Sequence, residues 1–218
     1  MTALIVRRFN ERQEYISLWQ RMQQFTVTRD EKTSDEIWLL EHQPVYTQGL
    51  AGKAEHVLCA GDTPVVQTDR GGQVTWHGPG QLMFYTLLDV RRLKWGARTL
   101  VSALENLLID YLAEKNVLAF SQRNAPGIYV RDTNNEIEKI ASLGLRITQK
   151  GCYHGMAINI SNKLEPFGGI NPCGKAGQRV VRLDQFLIPL PDKKEIEEAL
   201  VARFADALHC SHSEWFYV

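Results

Sequence analysis

Apolar positions recur along this chain with two periods, one suited to strands and one to helices. Residues 3–9 form an apolar run that reads as a first strand. Over about 11–27, Tyr15, Leu18, Trp19, Met22 and Phe25 fall at helical spacing and predict an amphipathic helix. Glu36–Glu41 and Gln81–Val90 are predicted strands. Leu100, Val101, Leu104, Leu107, Leu108, Tyr111 and Leu112 predict a second helix, with Thr99 placed to cap it. Ile128–Arg131 and Ile137–Ile147 flank Asp132-Thr133-Asn134-Asn135, the pattern of a hairpin, and a further strand follows over about 153–161. After Pro189 and Pro191, Asp192 is placed to cap a last helix carrying Ile196, Leu200, Phe204 and Leu208 on one face.

Strands here neither alternate strictly with helices nor separate from them. That favours an α+β fold, a mixed β-sheet flanked by helices, over a doubly wound one. There is no internal repeat. Residues 1–180 are expected to form the catalytic domain and 181–218 a small C-terminal extension packed on it. Lys+Arg and Asp+Glu are both 25, for a formal charge of +0, which argues against a nucleic-acid or membrane-surface binder. Arg91, Arg92, Lys94 and Arg98 make one local basic cluster. Arg7, Arg8, Glu11 and Arg12 interrupt the first apolar run, and no stretch approaches the roughly 18 apolar residues of a membrane span. A cytoplasmic location is expected. The four cysteines, Cys59, Cys152, Cys173 and Cys210, are widely spaced with no CxxC pair, so free thiols are expected. His209-Cys210-Ser211-His212 has ligand-like spacing, but one such cluster falls short of a zinc site, and no metal or cofactor is expected.

Four of the 16 glycines fall within Arg70-Gly-Gly-Gln-Val-Thr-Trp-His-Gly-Pro-Gly-Gln81. Such density suits either a backbone that approaches a ligand closely or a surface turn. Cys173 lies in Gly168-Gly-Ile-Asn-Pro-Cys-Gly174, a loop that Pro and Gly would stiffen around one reactive side chain. It reads as a nucleophile or as a structural loop thiol. A nucleophilic thiol needs an activating partner, and His77 and His154 are available. Lys139 is another: regular alternation puts Ile137, Lys139, Ala141, Leu143, Leu145 and Ile147 on one face, with Lys139 the lone charge on it. That lysine either takes up a proton or stabilises a thiolate, or it snorkels to water from an edge strand, or a bulge turns it outward. Gly155 and Ala157 share a face and leave room for a ligand chain. Ser142 and Gly144 do the same on the neighbouring strand, opposite to Lys139 if alternation holds.

Together these segments resemble the lipoyl(octanoyl) transferase family. The likeness rests on Arg70–Gln81, on Lys139-Ile-Ala-Ser-Leu-Gly144, on His154-Gly-Met-Ala-Ile-Asn159 and on Gly169-Ile-Asn-Pro-Cys-Gly174, in the family's order. Trp76 stands where the family more often has tyrosine. The resemblance implies the fold of lipoate ligases and of the biotin ligase catalytic domain. It implies that Cys173 takes the octanoyl group from acyl carrier protein as a thioester and that Lys139 assists its deprotonation. It also implies an acyl pocket built from Arg70, Gly71, Gly72, Gln73, Val74, Thr75, Trp76 and His77, with Ser142, Leu143, Gly144, Gly155, Met156 and Ala157. The implied partners are octanoyl-acyl carrier protein and the lipoyl domains of 2-oxoacid dehydrogenases and of the glycine cleavage protein. Two other readings compete: an ATP-dependent lipoate–protein ligase, which needs no loop cysteine, and a non-catalytic acyl-carrier-binding module.

Overall fold

The computed structural model describes residues 3–210 and 212–218, and of Cys173 the backbone alone. In chain order the elements are β1 (Leu4–Arg8), α1 (Tyr15–Thr28), β2 (Glu36–Leu40), β3 (Val45–Gln48), β4 (Val65–Gln67), β5 (Val74–His77), β6 (Gln81–Leu87), α2 (Ala97–Glu114), β7 (Ala119–Ser121), β8 (Gly127–Arg131), β9 (Ile137–Ile147), β10 (Cys152–Asn159), β11 (Arg179–Val180), α3 (Lys193–Ala207) and β12 (Ser213–Tyr217). The main sheet runs β12-β1-β2-β6-β10-β9-β8-β7, with β11 joined to β9. β12, β1 and β2 are mutually parallel, and antiparallel pairs lead from β2 to β7. A second sheet has the order β4-β3-β5. This is the mixed sheet with flanking helices that the pattern predicts.

Period-2 alternation sorts the central strand β6 onto two cores. Leu82 and Phe84 face the helices α2 and α3, whereas Met83, Tyr85 and Leu87 pack with Leu18 and Met22 of α1. Burying each such side chain contributes about 1.5–3 kcal/mol, so both faces hold the sheet. Leu183, Leu187 and the α3 face of Ile196, Leu200 and Phe204 lie in the same core as Leu4 and Leu104. β12 then pairs with β1, from Leu4 opposite Ser213 to Arg8 opposite Tyr217.

Helix starts depart from expectation. α1 begins at Tyr15 rather than near residue 11. Gln13 is held extended by backbone bonds to Glu41 and Gln43, and the Glu14 carboxylate accepts from the N–H groups of Ile16 (2.8 Å) and Ser17 (2.7 Å). α2 begins at Ala97, so Thr99 lies inside its first turn; Gly96 occupies the cap position without a side-chain bond. Asp192 stands at the cap of α3, also without a side-chain bond.

Candidate active site

The floor of the site lies on the α1 face of the main sheet, where β9, β10 and β6 meet. Residues directly opposite each other in antiparallel strands share a face. The register therefore gives two rows, Ser142–Ala157–Met83 and Gly144–Gly155–Tyr85. Over β9 and β10 the floor carries only small groups, and at β6 it rises into Met83 and Tyr85. A Cβ at Gly144 would stand 2.8 Å from the Gly71 carbonyl oxygen, so the glycine segment can lie directly over the strand only because no side chain intervenes.

That segment forms the roof. The Gly71 N–H donates to the Leu145 carbonyl (2.9 Å). The Arg70 guanidinium donates to the carbonyls of Gly71 (2.9 Å) and Gln73 (2.7 Å) and to Thr47 Oγ1 (3.0 Å). Arg70 is thus engaged in shaping the loop. The narrow pocket between roof and floor is lined by Arg70, Gly72, Gln73, Val74, Thr75, His77, Ser142, Leu143, Gly144, Gly155 and Ala157, together with Lys139. Gly71 lines an adjoining outer cleft instead. Trp76 and Met156 line neither: Trp76 packs edge-on against Phe167, and Met156 is buried in the α2/α3 core. Tyr15, Met83 and Tyr85 also line the pocket and were missed, because in sequence they are indistinguishable from ordinary apolar helix and strand positions.

Lys139 is 1% exposed, and regular alternation does not describe its surroundings. Ile128 pairs with Ala141 but Tyr129 pairs with Lys139, leaving Ile140 as an extra residue in β9. Such a bulge shifts the alternation by one. Ile140 and Ala141 consequently both enter the α2/α3 core, while Lys139 lines the same pocket as Ser142 and Gly144 rather than the opposite face. Its Nζ donates to the Pro126 carbonyl (3.2 Å) and lies 5.1 Å from the Tyr129 ring centroid. The stem passes over Gly127, which has φ +138°; a Cβ there would meet Lys139 Cε at 2.6 Å. The buried Glu105 carboxylate accepts from the Gly127 N–H (3.1 Å) and fixes this turn. Gly127→Ala is expected to displace the lysine and lower turnover by about 10²-fold, the cost of misplacing a reacting group by an ångström. Steady-state kinetics beside a melting curve would check this; turnover at the parent rate would show that the turn does not set the lysine.

The backbone places Cys173 beside the roof of the pocket. It sits in a short turn, Pro172–Gly174, and a Cβ at Gly174 would lie 3.3 Å from the Gln73 side chain. Seven residues after Cys173, Val180 of β11 pairs with Lys139, and the Val181 N–H donates to the Lys139 carbonyl (2.9 Å). The side chain of Cys173 lies outside the described residues. Of the other thiols, Cys152 is buried, and burial pushes it up to about 12, which leaves it protonated and inert. Cys59 is exposed, and Cys210 is half-buried at the end of α3.

His77 and His154 line the pocket, and His42 packs beside His77 with ring centroids 5.8 Å apart. His77 contacts Thr47 Oγ1 (3.1 Å) and Gln81 Oε1 (2.9 Å); His42 contacts Tyr85 OH (2.8 Å). Burial holds His77 well below its ordinary value and brings His42 down to about 4. His154 has φ +64° within β10, a strained conformation for a non-glycine residue. The strain directs it, like its neighbour Tyr153, to Asp69, which also accepts from Trp19. Burial lowers His154 too, partly offset by that carboxylate. These imidazoles shape the pocket, and neither His77 nor His154 is a charged partner at neutral pH.

The lipoyl protein ligase A/B catalytic-domain model matches residues 14–205. Proteins named octanoyltransferase are similar over most of their length. That of Hahella chejuensis is 53% identical over 94% of this chain and 88% of its own, and one from Vibrio cholerae is 50% identical over 97% and 94%. Among solved structures, a bipartite lipoate protein ligase of Thermoplasma acidophilum superposes with a TM-score of 0.67 at 12% identity, covering 99% of this chain and 88% of that one. Biotin protein ligase from Aquifex aeolicus gives 0.51 at 11%, covering 96% and 70%. Those two likenesses concern the fold alone.

Proposed function

The chain belongs to the lipoyl protein ligase A/B catalytic-domain family, and we propose that it moves an octanoyl group through a thioester on Cys173. Octanoyl transfer in protein lipoylation is its activity, as for the octanoyltransferases it resembles over nearly its whole length, and its acceptors are lipoyl domains. The donor in this reading is octanoyl-acyl carrier protein. The acceptors are lysines of the lipoyl domains of 2-oxoacid dehydrogenases and of the glycine cleavage protein, in a cytoplasmic setting that keeps Cys173 reduced. Among the described residues no helix is long and apolar enough to cross a membrane.

One observation carries the mechanism: Lys139 is buried on the pocket lining, and the chain leads from the turn bearing Cys173, beside Gln73 of that lining, into β11, which pairs with the lysine's strand. The thiolate of Cys173 attacks the donor's carbonyl carbon, a new C–S bond replaces the old one, and the carrier thiol leaves with a proton. The acceptor amine then attacks the acyl-enzyme, the C–N bond forms, and the Cys173 sulfur departs. Lys139 takes the Cys173 thiol proton and gives it to the departing carrier sulfur in the first half, then takes a proton of the amine and returns it to the departing Cys173 sulfur in the second. Thioester exchange is nearly isoenergetic and amide formation is downhill, so ATP is not needed, unlike in a ligase. From β9 to β6 the floor spans two inter-strand spacings, about 10 Å, the reach of an extended octanoyl chain ending at Met83 and Tyr85.

Intact mass after incubation with octanoyl-acyl carrier protein tests this reading. The parent should gain one octanoyl group and Cys173→Ser none. Transfer by Cys173→Ser at the parent rate would exclude the covalent route, and ATP-dependent pyrophosphate release would favour a ligase.

A further inference from the structure

Beside the narrow pocket lies a larger, mainly apolar cleft of about 450 Å³. The two share Gly72, Gln73, Leu143 and Gly144 and therefore meet where a reacting carbonyl would sit. The narrow pocket measures about 50 Å³. One water needs about 10–15 Å³ by that measure, so it suits thin groups in single file. The outer cleft is within the usual range for a small-molecule site. Val101 of α2, Ala125, Pro126 and Ile147 supply its apolar walls, and exposed Lys175 stands on its lining. Gln73 Oε1, on the lining of both, is buried without a hydrogen-bond partner. Pro126 also holds Lys139 through its carbonyl, so the cleft runs up to the lysine's own support.

We propose that this cleft receives the phosphopantetheine arm of the acyl donor, with the thioester at the junction and the acyl chain in the narrow pocket. This rests on the carrier-thioester reading above. The arm matches the cleft in three respects. Its branched dimethyl carbon is too wide for the inner pocket but fits apolar walls. Its amide N–H groups meet a buried acceptor in Gln73 Oε1. Its phosphodiester end is anionic and Lys175 is cationic. The acceptor lysine, with a short unbranched stem, would leave most of the cleft unfilled.

Two thioester donors separate the possibilities: octanoyl-4′-phosphopantetheine, which carries the arm, and S-ethyl octanethioate, which does not. Val101→Trp, which fills the cleft, is expected to lower the ratio of kcat/KM for the first donor to that for the second by about tenfold or more. Lys175→Glu should weaken use of octanoyl-4′-phosphopantetheine relative to octanoylpantetheine. As a surface change, it keeps the test available should the tryptophan variant not fold. Equal losses with both donors would place the acyl chain in the cleft, and no loss with either would leave the cleft unused; both results overturn the inference. Calorimetric binding of 4′-phosphopantetheine needs no thioester chemistry and should weaken in both variants. Parent protein that binds the arm yet forms no acyl-enzyme would defeat the covalent reading and leave this one standing. Equal binding by parent and variants would do the reverse.

Discussion

Lys139→Met is expected to lose about 10²–10⁴-fold in octanoyl transfer, the range for removing a positioned proton-transfer group. Lys139 is 1% exposed; it is set by the Pro126 carbonyl and the Tyr129 ring and acts electrostatically on the buried Glu105 carboxylate. Methionine fills a similar volume but removes one partner of that buried pair, so a loss of stability accompanies the loss of rate. Two measurements separate a chemical role from a packing one. Alkylation of Cys173 with iodoacetamide across pH should show its profile displaced to higher pH in the methionine variant. Lys139→Arg should restore some thiolate but not turnover, because a guanidinium holds its proton throughout. An alkylation profile identical to the parent's would remove the lysine from thiol activation, and full activity in Lys139→Met would remove it from the reaction.

Nothing in the residue order around Lys139 announces how it reaches the pocket. The long elements were legible: α1, α2 and α3 each bury a face repeated over several turns, and the central strands, buried on both faces, stand out as short continuous apolar runs bounded by turn residues. The motif residues, too, could be singled out by composition, since glycine density, a Pro-Cys-Gly turn and a lone strand lysine are each unusual. Their relation was harder. A single inserted residue, Ile140, reverses the facing of everything before it in β9, and Lys139 therefore joins Ser142 and Gly144 instead of opposing them. A bulge has no compositional mark when the extra residue is itself apolar. The same holds for His154, whose positive φ has no local mark in the residue order. Short strands were missed for another reason. β3, β4, β5 and β11 have two to four residues, too few for a period, and β12 exists because β1 offers it an edge.

Unfolding free energy is expected to fall steeply as pH is lowered from 6.5 toward 4, and the buried imidazoles are the cause. Burial depresses His42 to about 4, holds His77 well below its ordinary value and lowers His154. The unfolded chain binds protons at these histidines near pH 6.5, whereas the folded chain does not. Stability is therefore fully present above about pH 6.5 and drains away as pH falls toward the folded-state values. For His42 alone, a drop from 6.5 to about 4 corresponds to on the order of 3 kcal/mol. His77 adds to this in the same direction. His154 adds less, because the Asp69 carboxylate favours its charged form. Asp69, held well below the usual carboxylate range despite its burial, extends the loss below pH 4. Urea denaturation at half-unit steps between pH 7 and 4.5 would measure the slope, which reports the difference in bound protons. His42→Leu keeps the packing against Tyr15 and Tyr85 while removing one titrating group, so its slope should be shallower by about one proton, roughly 1.4 kcal/mol per pH unit. A slope unchanged by that substitution would mean that His42 is already solvated or charged in the folded protein. His77 on the pocket lining would then not be backed by a buried neutral imidazole.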